Sequence, residues 1–142
     1  MDRTPFILIC DDNRVIGKSI ALLLEPAGYR CVAVSTALDC VAVARRTPPD
    51  LILMDIMMPG MDGATASELM RDVPGLDRVP VVFVSAMTED DVRRRTIDAE
   101  AADYLLKPFT KLRLLEVVRR RIDDRRTREM AAPAARAHGA VL

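Results

Sequence analysis

The sequence has no tryptophan, a single histidine and no surplus of either charge. Aromatic residues make up only 4% of its 142 residues, and 21 basic residues balance 21 acidic ones. Proteins that bind single strands or sugars by stacking need aromatic rings, and nucleic-acid binders usually carry a basic surplus. The composition therefore predicts no direct nucleic-acid partner.

Long apolar segments and cysteine pairs are missing as well. No run approaches the ~18 apolar residues of a membrane span, and the first ten residues contain neither the long apolar stretch nor the cleavage site of a signal peptide. The three cysteines, Cys10, Cys31 and Cys40, are odd in number and form no C-x-x-C pair. We therefore expect a cytoplasmic protein with no membrane partner, and buried reduced thiols rather than disulfides or a zinc site.

The sequence is instead rich in short apolar runs that alternate with helix-like segments. Half of the residues are apolar, enough for a chain of this length to bury a core. The runs are short and rich in β-branched residues, as parallel strands buried on both faces are. They comprise residues 6–10, 29–34, 51–54, 81–84 and 103–106. Five such alternations predict an α/β domain with a parallel sheet.

The helix-like segments indicate where the helices begin and which side faces the core. Asp12 or Asn13 is the predicted N-cap of the first helix, and Gly28 is its stop. The fourth helix is so strongly charged that most of it should face water. The predicted core-facing residues of the second and fifth helices are Leu38, Val41 and Ala42, and Leu112, Leu115, Val118 and Ile122, respectively.

The composition changes after Arg125, where arginine, alanine and proline dominate. Alanine side chains bury little area, so this segment has few means of packing on a core. We expect one domain over residues 1–124 and a C-terminal extension over 125–142, helical to about Met130 and mobile beyond it.

Polar side chains follow four of the five predicted strands. Asp11 and Asp12 follow the first strand, Asp55 the third and Ser85 the fourth, while Lys107 ends the fifth. Each could be a helix cap or a loop residue on its own. Ligands of open parallel sheets bind beyond the carboxyl ends of the strands, so these side chains should meet at one edge. Three close carboxylates need a cation, and an all-oxygen ligand set favours Mg²⁺, so the pattern predicts phosphate chemistry with Mg²⁺.

These residues resemble the receiver domain of two-component response regulators over roughly residues 6–122. The resemblance rests on the acidic pair after the first strand and on segments 51–63, 81–86 and 103–109, in that order. It also rests on the spacing from Asp55, which is 30 residues to the serine and 52 to the lysine, as in the family. The resemblance implies a flavodoxin-like (βα)5 fold, doubly wound around a five-stranded parallel sheet of order 2-1-3-4-5, similar to the chemotaxis regulators.

By position, the resemblance also assigns the chemistry. It implies that Asp55 is the phosphoacceptor, taking a phosphoryl group from the phosphohistidine of a kinase or phosphotransfer protein. Asp12, Asp55 and the backbone carbonyl of Met57 would hold Mg²⁺ directly, and Asp11 would reach it through water. Lys107 would pair with Asp55 at rest and with the phosphoryl group afterwards.

A switch and two contact surfaces follow from the same resemblance. Ser85 would bind a phosphoryl oxygen and draw its loop inward, and Tyr104 would fill the vacated space, although it could equally be an ordinary half-buried ring. The fourth helix, fifth strand and fifth helix would form an output face for an unknown downstream protein or a second copy of the chain. The expected kinase-docking residues are Arg14, Val15, Ile16, Pro108 and Phe109.

Two departures from the family pattern and two alternatives accompany this interpretation. The usual glycine before the fifth strand is absent, and Met57 and Met87 offer nothing to orient a water, which favours slow self-dephosphorylation. We expect a stand-alone receiver that is not an enzyme beyond its own phosphorylation and dephosphorylation. A receiver segment of a larger regulator with its own output domain is an alternative. An Asp-nucleophile phosphatase is another, but Asp55 lacks the second aspartate of the Asp-x-Asp motif. The only histidine, His138, lies in the extension, so the chain is not itself the phosphohistidine kinase.

Overall fold

The computed structural model describes residues 3–58, 60–61, 63–86, 90–91 and 103–141, apart from the side chains of 63–64, 103 and 128–141. The strands are β1 (Phe6–Cys10), β2 (Arg30–Val34), β3 (Leu51–Asp55), β4 (Val81–Ser85) and β5 (Asp103–Leu106). The helices are α1 (Arg14–Leu24), α2 (Ala37–Arg46), α3 (Gly63–Arg71) and α4 (Lys111–Val141). The helix predicted between β4 and β5 lies mostly outside the described residues, so α4 corresponds to the predicted fifth helix.

The five strands form one parallel sheet in the order β2-β1-β3-β4-β5, which confirms the predicted topology. In the centre of the sheet, Leu8 lies opposite Val32 of β2 and Ile52 of β3. The register places the ends of β3 and β4 side by side, with Asp55 opposite Val84. Because all strands run in the same direction, the residues that follow them lie along one edge of the sheet.

The central strands β1, β3 and β4 are buried on both faces by two apolar clusters, whereas β2, predicted to be buried as well, is an edge strand and is largely exposed. Leu8 and Cys10 of β1 belong to the cluster beneath α2 and α3, and Ile7 and Ile9 belong to the cluster beneath α1 and α4. Successive strand residues point to opposite faces, which explains the unbroken apolar runs in the sequence. The apolar clusters hold the strand ends in fixed positions beneath the site.

The predicted core faces of two helices were wrong in part: Val118 and Ile122 are buried and Leu115 and Val41 pack on the core, but the other predicted residues do not. Leu112 is 80% exposed and Leu38 is 70% exposed. In α4, leucines occupy adjacent stripes, and packing selects the stripe that contains Leu114. In α2 the buried positions are occupied by small side chains, which allow the helix to lie close to the sheet. The buried residues are Leu114, Val117, Val118 and Ile122 in α4, and Ala37, Cys40 and Ala44 in α2.

The ends of α1 follow the predicted signals. Asn13 is the N-cap, and its side chain accepts hydrogen bonds from the amides of Val15 (3.0 Å) and Ile16 (3.2 Å). A short 3-10 turn over Glu25–Ala27 follows the helix, and Gly28, with φ 101°, ends it. The positive φ favours glycine because it has no Cβ. Asn13 as the cap leaves the Asp12 side chain available to the site.

The C-terminal helix is anchored at the opposite edge of the sheet from the acidic residues. The Arg125 guanidinium donates to the carbonyls of Pro49 and Asp50, each at 3.3 Å, and Arg126 donates to the carbonyl of Arg3 at 3.0 Å. The buried Asp50 carboxylate accepts hydrogen bonds from the Phe6 amide and from Arg3. The helix continues beyond Met130, its expected end, as far as Val141. Within the described residues, no helix has the length and hydropathy needed to cross a membrane.

Candidate phosphoryl-transfer site

Three aspartates converge where β1 and β3 end. The Asp11 amide donates to the Val34 carbonyl at 3.1 Å, which continues the pairing of β1 with β2 by one residue. Asp11 and Asp55 are buried, whereas Asp12 is exposed. One carboxylate oxygen from each of the three lies within 4.8 Å of the others. The predicted meeting of these carboxylates is therefore observed.

Lys107 brings the only described ammonium among the predicted site residues. Its Nζ atom lies 2.7 Å from Asp11 Oδ2 and 3.6 Å from Asp55 Oδ2. Its amide donates to the Ser85 carbonyl at 2.8 Å, so the chain leaving β5 stays beside the end of β4. The peptide bond from Lys107 to Pro108 is cis. The lysine thus contacts both buried carboxylates, and its shorter contact is with Asp11 rather than with Asp55.

Backbone amides orient the two buried carboxylates. Asp11 Oδ1 accepts a hydrogen bond from the Asn13 amide at 2.9 Å, and Asp55 Oδ1 accepts one from the Met57 amide at 3.1 Å. Each carboxylate therefore has one oxygen on an amide two residues later and the other oxygen towards Lys107. The hydrogen bond from the Asn13 amide to Asp11 was not predicted from the sequence. The order Asp11-Asp12-Asn13 could have indicated it, because the residue that caps α1 lies two positions after Asp11.

The site is short of positive charge. Burial, followed by the charges of Asp11 and Asp12, raises the pKa of Asp55 above its usual range, while Lys107 and the Met57 amide act in the opposite direction. The net direction of the pKa shift is upward, because burial disfavours the charged carboxylate and a single ammonium faces three carboxylates. A further cation would favour the ionised form of Asp55.

The donor set fits Mg²⁺. All three side chains offer carboxylate oxygens, which are the ligands that this ion prefers, and Asp12 is open to solvent. Mg²⁺ commonly keeps several waters and takes one or two protein carboxylates, so a half-open cluster suits it better than a closed cage. The described residues therefore form an acidic pocket able to bind Mg²⁺.

The other predicted site residues lie around this pocket. Ser85 is buried at the end of β4, and Tyr104 is half-buried on β5, packed against the cluster beneath α2 and α3. Among the expected docking residues, Arg14, Val15 and Pro108 are exposed, whereas Ile16 and Phe109 pack against the cluster beneath α1 and α4. Met87 and most of the predicted fourth helix lie outside the described residues.

Comparison with known proteins identifies the family. A family profile described as "Response regulator receiver domain" matches residues 7–119. The chain is 32% identical over 123 residues to the polar-differentiation response regulator DivK of Brucella ovis, covering 85% of this chain and 98% of DivK. It is 36% identical over 109 residues to the transcriptional regulatory protein BaeR of Escherichia coli O6:H1, covering 77% of this chain. The chain spans only 44% of the length of BaeR.

A solved structure shares both the fold and a similar level of identity. The receiver domain of the sensor histidine kinase PA1611 from Pseudomonas aeruginosa PAO1 superposes with a TM-score of 0.79 at 32% identity, covering 85% of this chain and 99% of that one. That structure has a magnesium ion coordinated in its active-site cleft. Three findings lead to the same family: the profile match over most of the chain, the near full-length match to DivK, and the shared fold. The chain belongs to the response regulator receiver domains, the regulatory switches of two-component phosphorelay signalling.

Proposed function

We propose that Asp55 accepts a phosphoryl group from the phosphohistidine of a sensor histidine kinase or a histidine phosphotransfer protein, with Mg²⁺ as the cofactor. The observation that carries this proposal is the convergence of three carboxylates and one ammonium at the carboxyl edge of the sheet. Asp55 ends the central strand β3, lies 3.6 Å from Lys107 and is bound by the Met57 amide. Asp11 makes the same two kinds of contact, so the choice between them rests on the spacing from Asp55 to Ser85 and Lys107, which matches that of the family. This arrangement supports Asp55 as the nucleophile.

The transfer makes one bond and breaks one. A carboxylate oxygen of Asp55 attacks the phosphorus, the bond from phosphorus to the histidine nitrogen breaks, and that nitrogen keeps the electron pair. The Met57 amide holds Asp55 Oδ1, so the side chain enters the reaction already oriented. The Lys107 ammonium lies close enough to shift from Asp11 and Asp55 onto a phosphoryl oxygen.

The proposed Mg²⁺ ligands are the carboxylates of Asp12 and Asp55 and the backbone carbonyl of Met57, with Asp11 bound through a water. When bound, the ion neutralises negative charge on the transferred phosphoryl oxygens. Without the ion, the Lys107 ammonium partly neutralises the negative charges of Asp11 and Asp55. The magnesium ion in the cleft of the PA1611 receiver domain, at 32% identity, supports this assignment.

Phosphorylation acts as a switch in this proposal, and the protein is not an enzyme beyond its own phosphorylation and slow dephosphorylation. Ser85 binds a phosphoryl oxygen and Tyr104 follows the movement of the loop after β4. Ser85 is buried at the end of β4, and the Lys107 amide donates a hydrogen bond to the Ser85 carbonyl. The proposed movements of Ser85 and Tyr104 therefore begin on the neighbouring strands β4 and β5. Met57 is 53% exposed and its thioether cannot orient an attacking water, which supports a long-lived phosphoryl group.

Two surfaces serve partners in this proposal. The kinase or phosphotransfer protein docks on Arg14, Val15, Ile16, Pro108 and Phe109. The output face comprises the predicted fourth helix, β5 and α4, and it binds a downstream protein or a second copy of the chain. This function places the protein in the cytoplasm, without a direct nucleic-acid or membrane partner.

A second candidate is a receiver that works within a larger regulator. The chain spans 44% of BaeR, whose name describes a transcriptional regulator, but 98% of DivK. DivK, which is matched over nearly its whole length, is itself about as long as one receiver domain, and this supports a receiver over residues 1–124 with an extension over 125–142. The partial match to BaeR supports the alternative, in which an output domain elsewhere reads the same switch.

Labelling with acetyl phosphate tests the proposed phosphoacceptor. With Mg²⁺, the protein should gain one alkali-labile phosphoryl group per chain, detected by intact-protein mass spectrometry. Asp55→Asn should abolish it, and chelation of Mg²⁺ should suppress it. Asp77→Asn, at an exposed position away from the site, is the matched control and should label normally. Equal labelling of Asp55→Asn and the control would overturn the proposal.

A further inference from the structure

The outer side of the edge strand β2 is apolar and open. Of the described strands, only β1 pairs with it, through five consecutive residues without a bulge. Four of its five residues are apolar, and its single charge, Arg30, lies at the start. Val32, in the middle of the strand, is 39% exposed. Native proteins usually protect such strands with several charges, a proline or a bulge, so the sequence of β2 suits pairing with another strand.

The hydrogen bonds to β1 show which backbone groups of β2 face outwards. The Arg30 amide donates to the Pro5 carbonyl at 2.9 Å, and the Val34 carbonyl accepts from the Asp11 amide at 3.1 Å. The backbone polar groups of successive strand residues point to opposite sides of the strand. The amides and carbonyls of Cys31 and Ala33 therefore point away from β1, where a further strand can bind them.

Helix α1 lies over β2 and extends towards its open side. A Cβ added to Gly17 would lie 3.4 Å from the Ala33 Cβ, so the helix approaches the strand closely at this point. Ile16 and Leu23 pack against the cluster that α1 shares with α4. These two residues mark the side of α1 that faces α4, and the side beyond Gly17 faces the open side of β2.

Two opposite charges lie on that outward side of α1. Lys18 and Glu25, the residue that caps the end of the helix, are both exposed. Seven helical residues place them within about 20° of each other around the axis but about 10.5 Å apart along it, too far for an ion pair in one chain. Burial, followed by the charge of Glu25, raises the pKa of the Cys31 thiol to about 11, so this carboxylate lies near the middle of β2.

A single two-fold axis satisfies both the helix charges and the strand. An axis midway between Lys18 and Glu25 brings each lysine next to the glutamate of a second copy. This midpoint lies about 6.8 Å along the helix from Gly17, which is the neighbour of Ala33. Since α1 runs antiparallel to β2, the same distance along the strand leads two residues back from Ala33, by about 6.6 Å, to Cys31. An antiparallel strand pair centred on Cys31 also joins all the outward amides and carbonyls of β2.

We infer that two copies of the chain associate through antiparallel pairing of their β2 strands about a two-fold axis at Cys31, with two ion pairs between Lys18 and Glu25 of opposite copies. The contact joins the two five-stranded sheets into one. The equal numbers of basic and acidic residues leave no net charge to oppose it. The contact needs no phosphoryl group, and it lies at the opposite side of the sheet from β5 and the proposed output face.

Charge reversal on α1 tests this dimer, with sedimentation equilibrium of the full-length protein in the absence of any phosphoryl donor. The unmodified protein should dimerise with a Kd on the order of 10 μM, as expected for a small interface. Lys18→Glu and Glu25→Lys should each weaken the dimer about tenfold, because like charges then meet across the axis. The double variant should recover the affinity. An unmodified protein that stays monomeric throughout the micromolar range, or a double variant as weak as the single ones, would overturn the inference.

Substitutions of Val32 test the strand register in the same measurement. In the inferred pairing, Val32 lies opposite Arg30 of the second copy, and charges directly opposite each other interact across strands. Val32→Lys should therefore weaken the dimer about tenfold, whereas Val32→Glu should leave it at least as tight. Leu69→Lys, at a 47% exposed position on α3, is the control and should not change the Kd. Equal weakening by Val32→Lys and Val32→Glu, or an undiminished dimer in Val32→Lys, would refute this interface.

Discussion

Asp55 lies in surroundings that oppose its ionisation, although its proposed chemistry requires the ionised form. Burial and the two neighbouring aspartates raise its pKa, and Lys107 offsets this only in part because the lysine lies closer to Asp11. The ionised side chain therefore makes the folded protein less stable than an uncharged side chain of the same shape would. This loss of stability arises from the same excess of negative charge that would favour binding of a cation.

Asp55→Asn should raise the free energy of unfolding at neutral pH without Mg²⁺, by about 1 kcal/mol, the usual scale of single substitutions. The folded-state pKa is raised, so the destabilisation is present above it and disappears as the pH falls through it towards the unfolded value. Urea unfolding of both proteins across acidic and neutral pH measures the effect. The difference in unfolding free energy between the two proteins should become smaller at acidic pH. It should also become smaller with Mg²⁺, because the ion stabilises the unmodified protein that binds it.

Asp77→Asn is the matched control, since Asp77 is exposed, and its unfolding free energy should stay within about 0.5 kcal/mol of the unmodified protein. Destabilisation by Asp55→Asn at neutral pH in the absence of Mg²⁺ would show that the electrostatic account of the site is wrong.

Among the elements, α4 shows how packing chooses between neighbouring apolar stripes. Leu112 and Leu114 are two positions apart, yet one is 80% exposed and the other is fully buried. The Thr110 hydroxyl accepts a hydrogen bond from the Arg113 amide at 3.0 Å, which fixes the start of the helix. The starting point and the direction of the chain after β5 determine which stripe meets the sheet.

Leu114→Ala should destabilise the protein by about 2–5 kcal/mol, because it leaves a cavity between α4 and the sheet. Leu112→Ala, the matched change on the exposed side, should alter the unfolding free energy by no more than about 0.5 kcal/mol. Chemical denaturation of both variants decides the matter. Equal losses of stability would mean that Leu112 also packs against the core, as predicted from the sequence.

The proposed kinase docking depends on the first residues of α1. Ile16 packs against the core cluster beneath α1 and α4, so Val15, which is 73% exposed, is the better position for a surface test. Val15→Glu should slow phosphoryl transfer from the cognate kinase about tenfold, as expected for the loss of an apolar contact worth 1–2 kcal/mol. Labelling by acetyl phosphate should be unaffected.

Leu22→Glu is the control for this surface, since Leu22 is 70% exposed on the same helix but farther along it. It should leave both reactions unchanged. Equal slowing by Leu22→Glu, or a parallel loss of acetyl phosphate labelling in Val15→Glu, would refute the docking assignment.

At the scale of the whole molecule, the two edges of the sheet have different tasks. One edge carries the carboxylates and Lys107. At the other edge Arg125 binds carbonyls at the start of β3 and Arg126 binds the carbonyl of Arg3. Strand β3 connects them directly, with Asp55 at one end and Leu51 next to Asp50 at the other. The contacts of α4 with the rest of the domain therefore continue beyond Asp124, the domain boundary predicted from the sequence.

Truncation tests this boundary. A chain that ends at Asp124 should be about 1–3 kcal/mol less stable than one that ends at Thr127, because it lacks the hydrogen bonds of Arg125 and Arg126 to backbone carbonyls. Urea midpoints of the two truncated proteins provide the comparison. Identical midpoints would place the boundary at Asp124 after all.

The proposed output face is also a property of the whole molecule. Beryllofluoride with Mg²⁺, a mimic of the phosphoryl group, should shift amide NMR signals on β5 and α4 and in the segment that follows β4, and should leave α2 largely unchanged. Ser85→Ala should bind the mimic but transmit a smaller shift, because the hydroxyl that is proposed to contact the phosphoryl group is missing. Shifts confined to the acidic cluster, or found mainly on α2, would show that output occurs elsewhere.

The strands and the acidic site could be predicted from the sequence because their signals are local. Each strand contains a short apolar run, and each site residue lies at the end of a strand or within two residues after it. In a parallel sheet this position alone brings Asp11, Asp12, Asp55 and Lys107 to the same edge. The order of the strands came from the resemblance to receiver domains, since apolar periodicity carries no information about which strands are neighbours.

Features that depend on how rigid elements approach one another were decided only by the tertiary structure. Three of these features depend on contacts between segments that are far apart in the chain. They are the packing of α4 on the sheet, the closer pairing of Lys107 with Asp11, and the contact between Cys10 and Met58. A helical pattern repeats every turn and allows several faces, and a lysine side chain can reach either of two carboxylates. Only close packing against the sheet, which tolerates neither voids nor overlaps, selects one arrangement.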